Sequence, residues 1–120
     1  MLIQDQVSYE DLDSDWLDFY ASIGVDTIHV ETRRSVSQEG HELNISQGKV
    51  STELFEQARE KVEAKGMKLN NIFYSCPREI PLGLEGADEK IEIWCRLLEA
   101  LGQAGIPMLG WNYKPMGNFR

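Results

Sequence analysis

Six residues of this 120-residue chain have the types and positions to meet a small polar ligand. His29 and Glu31 sit in the run "TIHVE", Arg33 follows it, and Asn112, Lys114 and Arg120 fall in the closing stretch "GWNYKPMGNFR". An amide such as Asn112 both donates and accepts, which suits sugar hydroxyls, while a guanidinium presents the planar fork that fits a carboxylate. Glu31 could accept from a substrate hydroxyl or pair with Arg33 or Arg34, and both readings stand. His29 reads equally as a hydrogen-bonded residue of a sheet interior, and Asn112 as a brace for its own loop. The remaining candidates offer less. His29 and His41 are the only histidines and show no HxH, HxxxH or HxD spacing, so there is no metal signature. Cys76 and Cys95 have no CxxC spacing; Cys95 reads as a small core residue on a helical stripe, and Cys76 as a loop thiol that would need an activating neighbour to react. His41, in a Gly-flanked loop, reads as solvated.

Charge narrows the ligand class. A formal net charge of -8 opposes approach to nucleic acid or an anionic membrane. Yet Arg33, Arg34, Lys49, Arg78, Lys114 and Arg120, half of the twelve basic residues, all lie in loops that follow apolar runs, which favours a small anion. The opening "MLIQDQVSYEDLD" has no basic segment followed by a long apolar one, and no run approaches the ~20 apolar residues of a membrane span. A reduced, cytoplasmic setting is the expectation.

The elements that must hold these residues repeat one unit. Gly24, Gly66 and Gly105 each close an amphipathic segment and precede a short apolar run, the pattern of a helix ending in a left-handed residue and passing into a strand. Trp16, Phe19, Tyr20 and Ile23 recur at helical spacing; so do Leu54, Phe55, Ala58 and Val62, and Ile91, Trp94, Cys95, Leu98 and Leu101. Ser14, Ser51 and Asp88 are suitable N-caps. Helices are expected near 14–23, 51–65 and 88–104. Strands are expected near 2–7, 27–31, 69–74 and 108–113, the last three read as buried on both faces, with Trp111 in the core. Strands separated by helices call for right-handed crossovers and a parallel sheet, hence an α/β fold in a single domain. The long loops "TRRSVSQEGHELNISQGKV" and "CPREIPLGLEGA" both follow strands, the side on which α/β proteins place their sites.

The segment "GLEGADEKIEIWCRLLEALGQAGIPMLGWNYKPMGNFR" resembles the mannonate dehydratases. The matching positions are Gly83, Gly86, Asp88, Glu89, Gly102, Ala104, Gly105, Ile106, Asn112, Pro115 and Arg120. Ala87 stands where the family has Arg, Lys114 where it has Met, Phe119 roughly where it has Trp, and "SCPREIP" lacks the family's His-Glu pair. The resemblance implies the N-terminal half of a TIM-barrel-like (β/α)₈ fold, which needs about 250 residues or more. It further implies a metal-dependent lyase that takes water from a sugar acid, D-mannonate to 2-keto-3-deoxygluconate. The divalent metal, Mn or Fe, would be held by His, Cys and Asp ligands of later strands, outside this chain, leaving the 120 residues inactive alone. Two alternatives are a piece of a xylose-isomerase-like sugar isomerase or epimerase, and a non-catalytic half-barrel that binds a small anionic sugar. Open sheet edges make a homo-oligomer the expected assembly.

Overall fold

A computed structural model, which describes residues 1–113, contains four parallel strands in the order β1-β2-β3-β4: Gln4–Ser8, Thr27–Glu31, Lys68–Ser75 and Met108–Asn112. Between them run α1 (Trp16–Ser22), α2 (Thr52–Glu63), a single turn α3 (Glu79–Leu82) and the long α4 (Ala87–Gln103). The fold is thus a set of parallel βα units, α/β in class, as the alternation of periods in the sequence requires. At the two helix-to-strand junctions of α1 and α4, Gly24 and Gly105 take φ of 86° and 76°. There the N–H of Val25 reaches the Tyr20 carbonyl at 3.0 Å and that of Ile106 reaches Leu101 at 3.0 Å, closing each helix and turning the chain directly into the next strand. At the start of α2 the Ser51 hydroxyl accepts from the Leu54 N–H at 3.3 Å. Asp88 does not cap α4: Gly86 is its N-cap and Asp88 lies in the first turn, where its charge faces the positive helix end.

Registered neighbours in a parallel sheet point the same way, so the pairing sorts the strand residues into two faces. Val7, Val30, Ile72 and Leu109 form one row, and Ile28 and Leu69 extend that face. Ile28, Val30 and Ile72 are fully buried there against Leu17 and Tyr20 of α1, Phe55, Ala58 and Val62 of α2, and Ile93, Leu97, Ala100 and Leu101 of α4. Each such side chain contributes about 1.5–3 kcal/mol through its removal from water. The opposite face carries the rows Gln6, His29, Asn71, Met108 and Ser8, Glu31, Phe73, Gly110. Those residues are half-buried or exposed. The strands are therefore buried on one face only, which corrects the two-faced reading: the polar residues that interrupt "TIHVE" and "LNNIFYS" are the open face. An extra residue, Asn70, bulges β3 opposite Ile28 and His29 and brings Asn71 into line with His29.

Two helical stripes are also corrected. In α2 the expected face is the buried one. In α4 the residues against the sheet are Ile93, Leu97, Ala100, Leu101 and, just past its end, Ala104, whereas Ile91, Cys95 and Leu98 are exposed. In α1, Leu17 and Tyr20 are buried while Trp16, Phe19 and Ile23 are exposed. Trp111 points to the helix side with Tyr74, yet stays 57% exposed beside α4 instead of entering the core. The loop after β2 is built on its own apolar residues, Val36, Leu43 and Ile45, all buried. Asn44 ties it internally, its amide donating to the Gln38 carbonyl at 2.9 Å, and the buried Tyr74 hydroxyl donates to the Leu43 carbonyl at 3.2 Å.

Candidate functional site

The open face of the sheet gathers chemistry at the C-terminal ends of β2 and β3. Glu31 ends β2 with its side chain 14% exposed, and its Oε1 lies 2.9 Å from Arg33 Nε. That contact is an ion pair by distance but is not aligned as a hydrogen bond, so the buried Oε1 keeps its acceptor capacity unused. The Arg33 guanidinium lies over the Phe73 ring, 4.9 Å from its centroid, where the ring's negative face attracts a cation. On the same ring, His29 stacks at 5.8 Å and 29°. Asn71, next to His29 in register, has a buried Oδ1 with no hydrogen-bond partner. One aromatic ring thus holds a cation and an imidazole, with two unsatisfied acceptors alongside.

Phe73 can occupy this place because its neighbour in β4 is Gly110. A Cβ at Gly110 would lie 3.1 Å from Phe73 Cδ2 and 3.3 Å from Asn71 Nδ2, closer than ordinary contact. Two residues on from Gly110, Asn112 ends β4 opposite Ser75 and on the same open face, half-buried. His29, Glu31 and Arg33 are therefore brought together, and Asn112 shares their face at the same end of the sheet. Lys114 and Arg120 lie outside the described residues. The sequence reading missed Phe73, Asn71 and Gly110; the doubled Asn in "LNNIFYS", which marks the bulge, was the available signal.

Several expected roles move elsewhere. Of the basic loop residues, Arg34 borders a hollow with Gln6, Ser8 and Asp11, and Lys49 donates to the Gly40 carbonyl at 3.1 Å. His41 is not simply solvated; its Nδ1 accepts from the Leu43 N–H at 3.1 Å and its ring meets Tyr9 edge-on, so it braces the loop. Burial pushes the Cys76 thiol up, away from a reactive thiolate. Among the described residues no group of three His, Cys, Asp or Glu side chains could hold a metal ion. His29 and Glu31 offer two donors at most, and Arg33 beside them repels a cation, so the residues present do not fit a metal centre of their own.

Burial lowers the His29 pKa from its ordinary 6.5, helped by Arg33 and opposed by Glu31 and the Asn71 amide. The imidazole is neutral at pH 7, free to accept or donate. Because the unfolded chain binds this proton more readily than the folded one, stability from this residue is complete above 6.5 and is lost as pH falls from 6.5 through the lowered folded value. An NMR titration of the His29 ring should give a midpoint below 6.5, and His29→Gln should flatten the decline in unfolding free energy just under that pH. A midpoint above 6.5 would reverse the assignment.

Parallel βα units with a polar open face and a charged cluster at the C-terminal strand ends define an α/β fold of the kind that makes up part of a TIM-barrel-like sheet. A solved structure similar to this chain is the mannonate dehydratase from Streptococcus suis serotype2, with a TM-score of 0.71 and 20% sequence identity, covering 96% of this chain and 31% of that one. At that identity the likeness establishes the fold. The chain spans about a third of that protein's length, the part resembling its N-terminal strands and helices. No family model matches, and no match was found among curated proteins. No helix of the described residues is long and apolar enough to cross a membrane.

Proposed function

We propose that this chain is the N-terminal part of a cytoplasmic sugar-acid lyase of the mannonate dehydratase kind, and that it supplies substrate contacts rather than the metal centre. The observation that carries the reading is the Arg33 guanidinium, held by Phe73 and Glu31 at the open face of the strand ends. Its fork suits the carboxylate of an aldonate such as D-mannonate, and would meet charge that develops there when the neighbouring proton is removed. Glu31 Oε1, ion-paired with Arg33, and Asn71 Oδ1 lack hydrogen-bond partners and would accept from sugar hydroxyls, while His29 and Asn112 can donate or accept. Lys114 and Arg120 are proposed to extend the same contacts from the chain beyond β4. The divalent metal of such a lyase would polarise the carboxylate, and its ligands lie outside these residues; the chain alone, with Mn or Fe added, is expected to turn over nothing.

The test is an NMR titration of the 120-residue chain with D-mannonate and, separately, with D-mannose, which keeps most hydroxyls and lacks the carboxylate. Mannonate should shift the resonances of His29, Phe73 and Asn112, mannose should not, and Arg33→Met should abolish the shifts. Equal response to both sugars would point instead to an isomerase-like site for neutral sugars. No response to either, up to tens of millimolar, would remove the reading.

A further inference from the structure

Among the described residues two polar ones are buried, Thr32 at 3% and Asn44 at 4% exposed. Asn44 braces its own loop. Thr32 reaches across the sheet instead: its hydroxyl donates to the Phe73 carbonyl at 2.5 Å. A hydroxyl removed from water needs such a partner, and this one is 41 residues away in the chain. Glu31 and Phe73 are the last registered pair of β2 and β3, so the bond fastens the two central strands one residue beyond their ladder. The residue after Thr32 is Arg33, whose guanidinium lies 4.9 Å from the centroid of the Phe73 ring. The chain is thus tied to the backbone of Phe73 by one residue and laid over its side chain by the next.

Arg33 needs such an anchor. Its side chain is 51% exposed, and its contact with Glu31 is an ion pair without the alignment of a hydrogen bond, a kind of contact that holds a long side chain weakly. It also has somewhere else to go. A hollow of about 280 Å³, lined by Thr32, Arg33, Ser37, Asn44 and Ser75, adjoins it between the loop and the end of β3. Many rotamers would carry the guanidinium off the ring, so its place depends on where its backbone is held. We propose that Thr32 is a positioning residue: by fastening the chain at Arg33 to Phe73, it keeps the guanidinium over the ring and directed to a ligand carboxylate at the open face. The hydroxyl of Thr32 is committed to the Phe73 carbonyl, so the residue acts through Arg33 and not on the ligand. Serine could supply the same bond. Valine, close to threonine in shape, could not, and would leave the carbonyl without this donor. The carboxylate as ligand rests on the lyase reading; the hold of Thr32 on Arg33 does not.

The test is NMR of the 120-residue chain with Thr32→Val and Thr32→Ser. In the native chain the side-chain protons of Arg33 should lie upfield of their unfolded positions, because they sit over the face of the Phe73 ring, and Phe73→Leu should remove that displacement. Thr32→Val should lose most of it while the methyl resonances of Ile28, Val30 and Ile72 stay in place, and Thr32→Ser should keep it. Titrated with D-mannonate, Thr32→Val should bind about 10-fold more weakly than the native chain, and Thr32→Ser as the native chain does. The native chain supplies a measurement that does not depend on the folding of a variant: the Thr32 hydroxyl proton should exchange slowly with water and show a cross-peak to Phe73. A freely exchanging hydroxyl, Arg33 resonances unmoved in Thr32→Val, or a Thr32→Ser chain that behaves like Thr32→Val would each overturn the positioning role. A native chain that ignores D-mannonate would remove the lyase reading alone, and the Arg33 resonances would still decide the role of Thr32.

Discussion

Phe55→Ala is expected to lower the unfolding free energy by about 3–5 kcal/mol, the range for a large aromatic removed from a packed core. Phe55 is fully buried where α2 meets the sheet, and with Ala58 and Val62 it forms the stripe by which that helix is held. Its removal leaves a cavity between α2 and the two central strands that neither can fill, since both are fixed by pairing on either side. Against the ~5–15 kcal/mol of an ordinary domain, such a loss removes from about a fifth to nearly all of the stability. Phe55→Leu keeps most of the volume and should cost less than half as much. Urea unfolding followed by circular dichroism measures both. Equal midpoints for the native chain and Phe55→Ala would mean that the helix layer does not hold the fold.

The same helix shows why part of this structure was legible in the sequence. Opposite its stripe, α2 reads "EQAREKVEAK", so only one face can be apolar and the period points to it. In α4 two faces are apolar. Ile91, Trp94, Cys95 and Leu98, extended by Leu101, make the bulkier stripe, and bulk drew the reading to it; of these Leu101 is buried and Trp94 packs partly against the core, while Ile93, Leu97 and Ala100 complete the face on the sheet. A helix apolar on two sides belongs between two neighbours, and one sequence cannot say which side meets the sheet. The strand faces were obscured in a related way. In "TIHVE" polar and apolar residues do alternate, and so does their burial; "LNNIFYS" does not, because a bulge shifts β3 by one residue and an aromatic, Phe73, stands on the polar face. The parallel α/β class survived these errors because it rests on the order of periods and on glycines such as Gly24 and Gly105, which local backbone geometry dictates.

Of the site, Glu31, Arg33, His29 and Asn112 were legible as polar residues at or just past strand ends, the place where a parallel sheet exposes them. What they rest on was not. Phe73 and Gly110 are distant in the chain and meet only through the β3–β4 register, which depends on pairing that no local pattern records. Their contact has a measurable consequence. Gly110→Val should destabilise the chain by about 1–3 kcal/mol despite valine's preference for strands, because its Cβ would stand 3.1 Å from the Phe73 ring and its methyl groups closer still. The ring can escape only by leaving the place where it supports Arg33 and stacks on His29. The clash and the ring should therefore be coupled: in a Phe73→Ala background Gly110→Val should cost about 1 kcal/mol less than alone, well outside the ~0.5 kcal/mol within which independent changes add. A second readout separates local rearrangement from general strain. Moving the ring exposes His29 to water and weakens the burial that lowers its pKa, so the His29 midpoint in Gly110→Val should rise toward 6.5. Strict additivity, with an unmoved His29 titration, would show that the ring does not depend on the glycine, and the support proposed for Arg33 would fall with it.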